Sequence, residues 1–215
     1  MTAMPPPRRG RPPASSEVRD ALRRQILEGA ARAYGRLGWH AVTIDEIVAE
    51  AGISRPTYYR VFRDKHEAVE AVIKQVNASL LAVLARAIAM PGDAEERARA
   101  AIEAYFDWGL AAGAVARMIY RELQLPSGPA QGERLRTLAQ ISRLLHQAGR
   151  RGARQRLMDT AALHAIEHLG SRLFEQAGEV LREDALHCAL QLVRCALQER
   201  AEPIAHAPAK ARRRA

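Results

Sequence analysis

The chain has 215 residues, enough for one or two domains with a sizeable buried core. It is 48% hydrophobic but only 5% aromatic, and runs of Val, Ile, Thr and Tyr are nearly absent, which argues against a β-rich fold and for an all-α one. Net charge is +9, with the basic excess densest at the two ends, which favours a polyanionic partner.

Residues 1–15 are rich in Pro and Arg and are expected to form a disordered basic arm. Ser16 then opens a helix whose Val18, Leu22, Ile26, Ala30, Ala33 and Leu37 share one face, until Gly38 stops it. Thr43 and Glu46 have the spacing of a capping box, and Gly52 closes the short helix they begin. Ser54 caps a second short helix with Pro56 in its first turn. Asp64 and Glu67 repeat the capping pattern ahead of a long helix over about 65–90, and Asp93 with Glu96 does so again. Further helices are expected over 94–112, 114–124, 131–148, 154–177 and 179–200, with a basic Ala/Pro tail at 201–215. No stretch approaches ~18 uninterrupted apolar residues and the N-terminus lacks an apolar leader core, so no membrane partner and a cytoplasmic location are expected.

Two short helices joined by a glycine turn, over about 43–62, form a helix-turn-helix pattern that needs the first helix as a third wall. Ile44, Ile47, Val48, Ile53 and Phe62 are the candidate core. The second short helix then presents Arg55, Thr57, Tyr59 and Arg60 outward, a set of donors and a methyl suited to the major groove. Lys65, at the start of the next helix, can grip a phosphate together with the free amides there.

The stretch TIDEIVAEAGISRPTYYRVFRDKHEAVEAVI, residues 43–73, resembles the tetracycline-repressor (TetR) family of transcriptional regulators, and the likeness reaches back through AYGRLGWHAVTI to cover about 19–75. The resemblance implies an N-terminal three-helix DNA-binding domain (16–75) and a larger helical domain (76–200) that dimerises and holds a small-molecule effector. It implies base or backbone contacts from Arg55, Pro56 and Thr57 and phosphate contacts from Thr43, Tyr59 and Lys65, with Tyr58 packing inward. His66 departs from the family's usual residue types at that position. The implied partners are double-stranded DNA with a palindromic operator, a second copy of the chain, and an effector of unknown class. A repressor is the commoner outcome. Close ahead of this domain, Arg9-Gly10-Arg11-Pro12 resembles an AT-hook core, so Arg9 and Arg11 are expected to reach a minor groove or a phosphate.

In the last two helices, apolar stripes at Met158, Ala162, Ile166, Leu169 and Leu173, and at Leu181, Ala185, Cys188, Leu192 and Cys195, are expected to form a four-helix bundle with a two-fold partner. Cys188 and Cys195 lie about 10 Å apart along one helix, too far for a disulfide within the chain. Candidate pocket residues are Tyr105, Trp108, Met118, Tyr120, His146 and Phe174. One enzymatic signal competes: His164, Glu167 and His168 fit H-x-x-E-H, the inverted zinc-peptidase pattern. A metal-responsive regulator using His164 and His168, with His187, is the milder version of that reading. No Ser/His/Asp set, phosphate loop or paired carboxylates is recognisable, so no catalytic residue and no cofactor are expected.

Overall fold

The computed structural model describes residues 16–123, 128–146, 152–176, 178 and 180–198. These form eight α-helices: α1 (Ser16–Ala41), α2 (Ile44–Ala51), α3 (Arg55–Tyr58), α4 (Lys65–Ile88), α5 (Ala94–Glu122), α6 (Pro129–His146), α7 (Ala153–Glu175) and α8 (Arg182–Gln198). The basic arm with Arg9 and Arg11, and the tail from 201, lie outside the described residues.

The helix starts follow the caps. Thr43, Ser54, Asp64 and Asp93 each accept from an amide in the first turn of the helix that follows. Only Asp93 and Glu96 complete the reciprocal box. Glu46 reaches Arg36 at 2.9 Å instead, and Glu67 accepts from the Arg63 amide at 2.9 Å. Both carboxylates are taken up by donors other than the N-cap amide.

Two expected boundaries shift for one reason. Gly38 was expected to stop α1, yet the helix bends there (φ 77°, ψ 175°) and makes one more turn. The expected helices 94–112 and 114–124 run together as α5, broken at Gly113 (φ 58°, ψ −124°). Glycine alone tolerates these dihedrals, so a stop signal in the sequence became a bend in the chain. The second short helix is shorter than expected: α3 has four residues, and turns formed by Arg60, Val61 and Phe62 amides carry the chain to Phe62.

The first core joins α1, α2, α3 and α4 through Ile26, Tyr34, Ile47, Tyr58, Phe62 and Val69. It also takes in Ile119 of α5 and Ala130 of α6. The second core is built from α4 through α8 and includes Leu80, Phe106, Ile141, Phe174 and Ala189. Helix α4 serves both: Ala68 to Ile73 face the first core and Leu80 and Leu84 the second. Its length and mean hydropathy would suffice to cross a membrane, but its buried positions, Ala68, Val69, Val72, Ile73, Leu80 and Leu84 among them, are taken up by the two cores.

Candidate nucleic-acid interface and effector cavity

The outward surface of the helix-turn-helix is where charge and exposure coincide. Arg55, Pro56, Tyr59 and Arg60 are exposed, Tyr59 at 49%. Tyr58, by contrast, is fully buried, and its hydroxyl donates to the Asp64 carbonyl at 2.8 Å. Its ring packs against Phe62, so the adjacent tyrosines divide between anchor and surface. Thr43 is exposed as the α2 cap. Thr57 is half-buried and its hydroxyl lies 2.9 Å from that of Ser54, so its polar atom serves the α3 cap and its remaining surface is the methyl. Arg55 is held by Asp45 at 2.9 and 3.1 Å and reaches the Tyr59 hydroxyl at 3.5 Å. The Tyr59 bond, and after it the Asp45 charge, raise the guanidinium further above its ordinary range, so it stays a cation.

Lys65 holds a position the sequence did not foretell. Its ammonium donates to the carbonyls of Trp39 at 3.0 Å and Val42 at 2.9 Å, and lies 4.5 Å from the centre of the Trp39 ring. It therefore ties the α1–α2 connection to the start of α4, with one N–H left over. His66 sets its ring edge-on to Trp39 from the same turn.

A second polar knot binds α1 to α5. Glu122, 6% exposed, accepts from the Tyr34 hydroxyl at 2.8 Å and from the Trp39 amide at 2.5 Å. The Tyr34 phenol is pushed far up, chiefly by burial and then by the facing carboxylate, and remains a donor. Nothing in the sequence pairs residues this far apart.

The middle helices α4 to α8 enclose a cavity of about 800 Å³. Leu80, Leu84, Ile102, Leu138, Leu163 and Ile166 give it apolar walls, and Tyr105, Tyr120, Arg134 and Glu167 gather as a polar cluster. Arg134 donates to Glu167 at 2.7 and 3.0 Å, and the Tyr105 hydroxyl donates to Tyr120 at 2.9 Å. Of the six expected pocket residues, Tyr105 and Tyr120 line the cavity. Trp108 instead donates to Ser79 on the surface, Met118 packs on the first core beside Gly38, and Phe174 fills the second core against Gly109. The side chain of His146 lies outside the described residues. An aromatic at helical spacing marks burial, and burial alone does not distinguish wall from core.

The expected dimer stripes divide as well. Leu173 is 3% exposed inside the protomer, and Ala162 and Ile166 face the cavity, so these three do not belong to an outer face. Met158, Leu169 and Leu192 are half-buried, while Cys188 and Cys195 are exposed. Leu157 (72% exposed) and Leu181 (61%) stand on the outside; Leu181 belongs to the expected stripe and Leu157 does not, while Ala185 of that stripe is buried in the second core. Glu167 turns inward to Arg134, His164 and His168 are exposed, and among the described residues no group of three His, Cys, Asp or Glu side chains is placed to hold a metal ion.

Comparison with known proteins agrees with this arrangement. Residues 26–72 match the family described as "Bacterial regulatory proteins, tetR family". The chain is 37% identical over 90 residues to the HTH-type transcriptional activator FasR of Mycolicibacterium smegmatis, covering 42% of this chain and 41% of that protein. It is 37% identical over 87 residues to the HTH-type transcriptional regulator BetI of Escherichia coli, covering 40% and 45%. Each likeness thus spans less than half the length of the relative. Among solved structures, a TetR-like transcriptional regulator from Rhodococcus sp. RHA1 aligns over 89% of this chain and 100% of that one, at 26% identity and a TM-score of 0.62. Residues 26–72, with the exposed Arg55, Tyr59 and Arg60, thus form a domain that matches the tetR family of bacterial regulatory proteins, within a fold similar to that of a TetR-like regulator.

Proposed function

We propose that the chain is a DNA-binding transcriptional regulator, acting as a homodimer on a palindromic operator and released from it by a small molecule held in the α4–α8 cavity. The observation that carries this reading is the exposed cationic face of the helix-turn-helix, set on a closed core by the buried Tyr58. Arg55, Pro56 and the Thr57 methyl read bases, while Thr43, Tyr59, Arg60 and Lys65 position the protein on phosphates. Arg9 and Arg11 add a minor-groove or phosphate contact. The outer faces of α7 and α8, with Leu157, Cys188, Leu192 and Cys195, meet their copies and set two recognition segments about 34 Å apart. The protein works where the chromosome is, in the cytoplasm.

Effector control follows from shared helices. The last turn of α5 presents Tyr120 to the cavity and Glu122 to the end of α1. Trp39, which donates its amide to Glu122, accepts through its carbonyl from Lys65. An occupant that displaces Tyr120 therefore pulls on the connection that orients α2 and α3. Fluorescence anisotropy with duplex DNA from upstream of the protein's own gene tests the reading. Saturable binding that scrambled duplex does not compete away is expected, and equal competition by scrambled duplex would overturn it.

A further inference from the structure

The cavity's polar cluster is one-sided. Tyr120 is 9% exposed and its oxygen accepts from Tyr105 at 2.9 Å. That leaves its own proton without an acceptor among the described residues. The alternative, Tyr105 donating to the Glu167 carbonyl, is 3.4 Å long against 2.9 Å to Tyr120, and the shorter bond is the stronger. Arg134 spends Nε and Nη2 on Glu167 and His164, and Nη1 has no partner among the described residues. The Thr137 hydroxyl donates back to Glu133 within α6. What the cluster offers an occupant is donors.

Its charge is balanced. The ionisable residues lining the cavity are Arg97, Arg134, Asp159 and Glu167, two cations and two anions. A carboxylate ligand would leave a net negative charge in an apolar enclosure, at a steep desolvation cost. An uncharged acceptor takes the Tyr120 proton at no such cost. The Tyr105 hydroxyl is fixed in turn, because Gly170 on α7 leaves space only for a hydrogen where a Cβ would strike it.

We infer that the effector is an elongated apolar molecule with an uncharged carbonyl head, an ester, ketone or lactone, which accepts a hydrogen bond from Tyr120 and lies along the Leu80, Leu84 and Ile102 wall. Burial raises the Tyr120 hydroxyl well above its ordinary range, which keeps it protonated and donating. The inference rests on the regulator reading for its biological role but not for its chemistry.

The test is isothermal titration of the full chain with methyl dodecanoate, dodecanoate and dodecane, alongside the DNA-binding assay. The ester is expected to bind about tenfold tighter than either of the others. Tyr120→Phe is expected to erase the preference for ester over alkane while leaving alkane binding unchanged. The comparison of the three probes on the unaltered protein needs no variant to fold. Carboxylate binding as tight as ester, or an ester preference that survives Tyr120→Phe, overturns the carbonyl head. Binding of no probe by protein that still binds DNA overturns the ligand class and leaves the regulator reading standing. Ester binding by protein that ignores its upstream DNA does the reverse.

Discussion

The buried carboxylate of Glu122 gives the sharpest test of how the two halves communicate. It accepts two hydrogen bonds, one from the fully buried Tyr34 hydroxyl and one from the Trp39 amide. A bond to a charged partner contributes about 1.5–3 kcal/mol, against about 0.5–1.5 for a neutral one. Glu122→Gln keeps the shape and removes the charge, so it should cost about 1 kcal/mol per bond, or about 2 in all. Tyr34→Phe deletes one donor and leaves the other, at about 1.5–3 kcal/mol. The double variant should cost less than the sum, by about 1 kcal/mol, because the Tyr34 bond that Glu122→Gln weakens is already absent in Tyr34→Phe. Urea unfolding followed by far-ultraviolet circular dichroism measures all four corners of the cycle. Additivity within about 0.3–0.5 kcal/mol refutes the bond as an energetic link. A second readout separates coupling from mere support: Glu122→Gln should bind DNA yet need more effector for release, and unchanged release at equal occupancy refutes the coupling.

Arg55→Ala should lower discrimination between operator and altered operators by about 1–3 kcal/mol at one base position, measured by competition binding, whereas uniform loss at every sequence removes base readout. Asp45→Asn frees Arg55 from an exposed pair worth about 0.2–1 kcal/mol, so unfolding stability should hardly move while affinity for random duplex rises; unchanged affinity places Asp45 away from phosphates. Lys65→Ala strips the Trp39 and Val42 carbonyls of a donor, so the urea midpoint should fall. If its remaining N–H grips a phosphate, the slope of log affinity against log salt should shrink by about 0.9, and a constant slope leaves Lys65 with its structural role alone.

The DNA-binding half was legible because its signals are local. Thr43, Gly52, Ser54 and Asp64 act within a turn of themselves, and each caps or closes its helix in the structure, although Glu46 and Glu67 do not complete the boxes their spacing implied. The regulatory half was legible as helices and little further. Arg134 and Glu167 meet across α6 and α7, and Tyr34 and Glu122 across α1 and α5, pairings set by tertiary packing with no counterpart in local periodicity. The same limit misplaced Leu173 and Phe174: an apolar stripe says that a face is covered, not whether a core, a cavity or a partner covers it. The H-x-x-E-H pattern shows the same limit. Its helix spacing puts His164 and His168 on one side, but Glu167 follows the charge of Arg134 on a neighbouring helix.

Domain boundaries drawn from sequence separate what the structure joins, and the join bears on function. Ile119 belongs to the DNA-binding core, Tyr120 to the cavity, and Glu122 to the clamp on α1, all within the last turn of α5. A rotation of that turn cannot move one without the others. Shifting an operator-bound population from nearly full to nearly empty takes about 5.5 kcal/mol of differential affinity, while a typical coupling energy between two sites is about 1–3 kcal/mol. In a symmetric dimer two such cavities act on one operator, so two clamps of about 2 kcal/mol each come close to the need. An effector that reached a single protomer would then fall short, and release should depend on effector concentration with a Hill coefficient above one.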